Sequence, residues 1–566
     1  MRSLSLSALL CAVLFAVLTV AQLSGRVGPT TSASSKRAKK ICNVLSHGAK
    51  ADKKTDLGPA LKAAFTACKS GGTIVIPSGD YALATWVDFN GGSGWAIQWD
   101  GTIYRTGSAG GNMLLVQHAD DVEIYSSNGR GAFQGNGYEF HAKGSITGPR
   151  ILRFVKTSNF AVHDVVFVDA PSFHFSMDTC KNGEVYNMVI RGGNQGGLDG
   201  IDVWSDNVWI HDVEVTNKDE CVTVKSPAHN ILIENIYCNM SGGSAIGSLG
   251  VGVDISNIHY RNIYTWSSNQ MMMIKSNGGS GTMKNVLMEN FIGHRNAYSL
   301  NIDQQWNSMK PNSGNGVNLR NVTFKNWKGT CANGQQRGPI KIHCADGAPC
   351  SGFRIADFAI WTEAGSSQWY SCKSAYGSGA CLKSGSGGSY PEVKQSVSSP
   401  PSGYNAPRMS ADLKDSFGTK QLIPIPRIPD TFFPGKKTIK PLASRSGGGA
   451  PEKAPPPPPK EDRPPRPPKD DRPPPGGPPR DHPPEGDRPP RPPKDDRPPK
   501  GDHPPKGNHP EKEPPSPKGI FDQLFGGAFG GLGGVGGIFG NEKGPARRSM
   551  PKARSRHLLD PGFGVR

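Results

Sequence analysis

The chain has 566 residues, with 72 Gly, 50 Pro and a formal net charge of +18. Such length allows several domains, but most of the Pro lies after position 450, which excludes an even spread of folded units and predicts one large body followed by a tail. The charge raises nucleic acid as a partner. However, about +7 of it falls in residues 443–566, where about 23 Lys/Arg face about 16 Asp/Glu, and the rest forms no basic cluster. No nucleic-acid partner is expected.

Residues 1–21, MRSLSLSALLCAVLFAVLTVA, carry Arg2, a short apolar run and a small-residue exit. This is the layout of a signal peptide, too short for a transmembrane helix, and no later segment is long and apolar enough to span a bilayer. A secreted, extracellular protein with no membrane partner is expected, and with it disulfides. The pairs suggested by position are Cys42 with Cys68, Cys221 with Cys238, Cys344 with Cys350 and Cys372 with Cys381, leaving Cys180 and Cys331 over. The sequons at Asn239 and Asn321 are candidate glycosylation sites.

From Ile41 to Leu83, a helical LGPALKAAFTACKSG precedes a β-type GGTIVIPSGDYAL. Short alternating runs then recur, with starts at Asn159, Gly183, Asn207, Asn230, Asp254 and Met283, spaced 24, 24, 23, 24 and 29 residues apart. A fixed period of this size is the signature of a solenoid. The runs set V/I/L/F against N/H/K with no amphipathic helix between them, which predicts an all-β, right-handed parallel β-helix with one period per coil. The β-helix domain is placed at 22–442. Residues 443–566, in which RPPRPPKDDRPP occurs twice before a Gly-rich stretch, are expected to be a disordered tail, because such composition cannot bury a core.

Residues one coil apart stack at about 4.8 Å. Asp178, Asp199 and Asp219 are 21 and then 20 residues apart, which predicts a column of carboxylates. Asp202 follows Asp199 by three and Glu220 adjoins Asp219, while Lys275 and His294 fall on later coils. Neighbours on a regular strand face opposite ways, so Asp219 and Glu220 can share one site only if NKDECVTVKSP bends there. A protonated and an ionised carboxyl together are the equipment of a glycosidase; Asp and Asn that merely bond the backbone at turns are the structural alternative. Metal binding is the competing use of the acids. The chain has no GxSxG, no HExxH and no paired CxxC, so neither metal nor other cofactor is expected.

In GGNQGGLDGIDVW, VHDVEVTNKDECVTVKSP, YTWSSNQ, MIKSNGGSG, SAYGSGACLK and IPIPRIPDTFFPG, the chain resembles family 28 of the glycoside hydrolases, the polygalacturonase family. Within it the likeness is to the fungal rhamnogalacturonan hydrolases of the rhamnogalacturonase A type, over about residues 22–436. The resemblance implies a parallel β-helix and inverting hydrolysis of α-glycosidic bonds. It assigns Asp219 as proton donor and Asp199 with Glu220 to the water, with Asp202 as a further acid. The family's Gly-His-Gly segment here reads GGSAIGSLG, and its Arg-Ile-Lys reads Met273-Ile274-Lys275. Loss of that Arg implies a less acidic sugar beside the cleaved bond, with Lys275 kept for a uronate; Asp178 is a weaker candidate on the substrate. His294 is the candidate for the missing His. The expected function is a monomeric endo-hydrolase of the galacturonate–rhamnose backbone of pectic rhamnogalacturonan I. The alternatives are a polygalacturonase and a non-catalytic wall-binding protein.

Overall fold

A computed structural model describes residues 23–409 and 418–441. The expected signal peptide and the Pro-rich tail lie outside the described residues. Two helices open the body: α1 (Ala33–Lys39) and α2 (Leu57–Cys68). Helix α2 starts at Asp56, whose side chain accepts the Gly58 N–H, and it buries Leu57, Ala60, Leu61, Ala64, Phe65 and Cys68 against the first strands. It thus covers apolar residues of the opening coils that no earlier coil could bury.

A parallel solenoid of about 12 turns follows. The strands that build its central coils are β1 (Phe175–Arg191), β2 (Ile201–Thr216), β3 (Glu220–Val224), β4 (Ala228–Asn239), β5 (Gly243–Leu249), β6 (Val253–Trp266), β7 (Met272–Ser276) and β8 (Gly281–Asn296). Register stacks like on like: Val185, Ile210, Ile233, Tyr260 and Met288 form one continuous buried row. Each such side chain contributes about 1.5–3 kcal/mol by leaving water.

The longer strands bend within themselves, and Asn does the bending. Asn235, Asn262, Asn290 and Asn326 all adopt left-handed backbone, with φ between 53° and 59°, which Asn tolerates better than most residues. Their amides form a ladder, Asn262 donating to Asn235 at 3.0 Å and Asn326 to Asn290 at 3.2 Å. A second ladder runs from Asn230 through Asn257 and Asn285 to Asn321. The one-coil recurrence of Asn in the sequence is therefore the corner of the solenoid.

All four expected disulfides form, and Cys180 and Cys331 are buried and unpaired. An antiparallel strand, Val393–Val397, closes the last coil on Gln368–Lys373. The chain then runs back along the outside. Met409 and Phe433 pack with Tyr237, Tyr264 and Ile292, Ile423 packs on Val166 and Val189, and the Ile439 N–H reaches Asp212. Among the described residues no helix is long and apolar enough to cross a membrane.

Candidate active site

The four acids converge where β2 and β3 begin. NKDECVTVKSP is a bend at Asn217–Asp219 that becomes strand at Glu220. Asn217 fixes the bend: its buried amide donates to the Leu198 carbonyl at 2.7 Å and to the Glu220 carbonyl at 3.0 Å. One side chain thereby clips the loop carrying Asp199 to the turn carrying Asp219 and Glu220. The Gly197 N–H donates to Asp219, and Cys221, bonded to Cys238, anchors the strand behind it. Carboxylate oxygens of Asp199, Asp219 and Glu220 all lie within 4.8 Å of one another.

The predicted column is corrected by register. Ile201 pairs with Val222 and Gly200 bonds the Glu220 carbonyl, so Asp199 is level with Glu220; Asp219 joins them only through the bend. Asp178 does not stack on Asp199. It pairs with Trp204 in register and its carboxylate holds Arg153 at 2.6 Å. A 21-residue spacing equals one coil only where the intervening turns are of ordinary length, and the turn between β1 and β2 is not.

Charge explains how four acids tolerate one another. Burial raises Asp219, as do the charge of Glu220 and a hydrogen bond with it, so its carboxyl keeps its proton well above the usual range. Burial works the same way on Glu220, but Lys275 and the Asp219 hydrogen bond outweigh it and hold Glu220 ionised far below the usual range. Lys275 contacts the Glu220 carboxylate directly. Asp199 is raised by burial and by the charges of Asp202, Glu220 and Asp219. Lys225 lies 3.3 Å from Asp202 and 3.8 Å from Asp199. Burial also raises Asp202, though Lys225 opposes it. The result is a proton on Asp219 facing a charge on Glu220, the division of states that acid/base cleavage of a glycoside needs. Three carboxyls this close are also a possible ligand set for a cation, but Lys225 and Lys275 already supply two positive charges to the same group.

His294 is not brought to the acids. It pairs with Trp266 in register, its Nε2 meets the Pro407 carbonyl at 3.1 Å, and its ring lies between those of Tyr264 and Trp266 beneath the returning chain. The sequon at Asn239 is also corrected, because that side chain is fully buried and donates to Thr216 Oγ1, which leaves no room for a glycan. Asn321 is exposed.

Three residues at the site escaped the sequence reading. Lys225 continues the outward alternation from Thr223, a signal that was available. Asn217 looked like one more turn Asn. His174, fully buried, donates from Nδ1 to the Asp199 carbonyl at 3.0 Å, and nothing local in the sequence marks it.

The model of the Glycosyl hydrolases family 28 matches residues 68–381. The chain belongs to that family. It is 66% identical over 426 residues to the probable rhamnogalacturonase B of Aspergillus fumigatus, covering 75% of this chain and 82% of that protein. To rhamnogalacturonase A of Emericella nidulans it is 63% identical over 430 residues, 76% of this chain and 85% of the relative. Among solved structures it resembles an endo-xylogalacturonan hydrolase from Aspergillus tubingensis, with a TM-score of 0.54 at 23% identity, over 62% of this chain and 100% of the other. That likeness supports the fold. This family 28 protein is therefore a glycoside hydrolase.

Proposed function

We propose that the protein is a secreted, monomeric endo-hydrolase that cuts α-D-galacturonic acid-(1,2)-α-L-rhamnose bonds in the rhamnogalacturonan I backbone of pectin. The observation that carries the chemistry is the cluster itself, carboxylate oxygens of Asp199, Asp219 and Glu220 within 4.8 Å of one another with Lys275 on Glu220. Burial and the Glu220 charge favour a proton on Asp219, and Lys275 favours a charge on Glu220. Asp219 donates to the leaving glycosidic oxygen as the bond breaks. Asp199 and Glu220 position a water, and the ionised Glu220 takes its proton as its oxygen bonds the anomeric carbon; Asp202 shapes the field around Asp199. Lys275 holds Glu220 ionised and faces the uronate. The substrate assignment rests on the names of the relatives and on Met273 standing where a polygalacturonase has Arg. Asn321 is the glycosylation site this reading retains.

Three carboxyls within 4.8 Å are closer than the usual 6.5–9.5 Å of a two-carboxylate inverting site. The third carboxyl accounts for this, since water is served by two groups and the leaving oxygen by one. Incubation with deacetylated rhamnogalacturonan should release galacturonate as the new reducing end. Proton NMR should show it first as the β anomer. Cleavage of homogalacturonan alone would make the protein a polygalacturonase, and an α product formed first would replace single displacement by a covalent route.

A further inference from the structure

On the outward face of the coils, Trp204 stands beside the acids and the proposed chemistry leaves it unused. It follows Asp202 by two on β2 and therefore shares its face; in register it lies between Asp178 and the coil of Lys225. Four other tryptophans, Trp95, Trp99, Trp209 and Trp327, are buried at 3% exposure or less, whereas Trp204 keeps part of its surface in water. Leaving an indole partly wet on a catalytic face forgoes burial it would gain inside.

The indole is also held in place. The Arg153 guanidinium, from an earlier coil, sits 5.7 Å from the ring centroid and is itself held by Asp178 at 2.6 Å. Arg153 is matched by Asp178, and Lys225 by Asp202 and Asp199. A uronate placed there would meet carboxylates as much as cations. A neutral deoxy sugar, with an apolar ring face and a methyl group, would meet an aromatic plane without losing an ion pair.

We propose that Trp204, backed by Arg153 and Asp178, is a stacking subsite for a rhamnose ring on the amino-terminal side of the acids. It deepens the proposed function and rests on it. With Lys275 two coils beyond Lys225, the face then alternates a neutral subsite with an acid-accepting one, as the polymer alternates its sugars.

The test compares Trp204→Ala, Trp204→Phe and, as a control, Trp361→Phe, a partly exposed Trp that pairs with Thr330 on a later coil. On deacetylated rhamnogalacturonan, Trp204→Ala should raise KM about tenfold, the size of one lost aromatic contact, with a smaller change in kcat. Trp204→Phe should stay within about threefold because a ring remains. In an Asp219→Asn background, alternating oligosaccharides should change the protein's fluorescence, and Trp204→Phe should remove that change while Trp361→Phe keeps it. This reading needs no folded Ala variant. An active enzyme whose Trp204→Ala form keeps its KM, or whose Trp204→Phe form keeps the full fluorescence response, overturns the subsite and leaves the function standing. A wild-type enzyme that cuts only homogalacturonan overturns both.

Discussion

The Asn corner and the acid face use the same device, polar side chains repeated once per coil, to opposite effect. At the corner, Asn235, Asn262 and Asn290 stack as neutral amides, each donating to the preceding coil and accepting from the following one, so every added rung satisfies its neighbours. On the acid face, Asp199 and Glu220 also lie level on successive coils, but like charges at this range repel. The arrangement persists because two lysines enter from later positions and two of the carboxyls hold protons. Coil spacing alone therefore does not separate a structural ladder from a catalytic site. What separates them is whether the stacked groups satisfy one another or need outside charge to coexist.

The largest effect that sharpens this contrast is on the acid face. Asp219→Asn should cut kcat by about a thousandfold, the range for loss of a general acid, with an unchanged melting temperature, since an amide still accepts the Gly197 N–H. An equal fall in melting temperature and activity would make Asp219 a ladder residue instead. The pH profile of kcat/KM should fall on its alkaline side as Asp219, raised above the carboxyl range, loses its proton. Its acid side should extend to low pH because Lys275 depresses Glu220. Lys275→Met removes that cation, so the Glu220 carboxyl rises and activity at low pH should be lost first; an unmoved acid limb would exclude Glu220 as the base.

Asn217→Ala is expected to be intermediate. The Leu198 and Glu220 carbonyls each lose one donor, the latter keeping the Gly200 N–H, costing about 1–3 kcal/mol in urea unfolding, and kcat should fall about tenfold or more as the two acid-bearing segments drift apart. Loss of stability with kcat intact would show that the clip holds the fold and not the site. Asn262→Ala should be the mildest for function: about 1–2 kcal/mol of stability lost, from a left-handed residue without its amide, and kcat unchanged. A comparable loss of kcat would mean the ladders tune the site.

Much of this is legible in the amino-acid sequence. The 24-residue recurrence and the alternation within each run give the solenoid, because only a coil of that length repeats the same inward and outward positions. The adjacency of Asp219 and Glu220 implies a bend if both are to face one cleft, and Asn217–Asp219 supply that bend. Asp178 leaves the column because counting residues assumes that every turn has the same length, and the turn after β1 does not conform; His294, a candidate for the family's missing His, lies in register with Trp266 instead. Asn239 shows the same limit, for a sequon carries no sign of burial.

Period and residue type are enough to specify the coil, the disulfide partners and the acids available. The tertiary structure decided which acid faces which, that Lys225, Asn217 and His174 complete the site, and which carboxyl keeps its proton. Those outcomes depend on register and burial, set by turns and by the packing of residues far apart in the chain, and the field at a carboxyl is the sum over all of them.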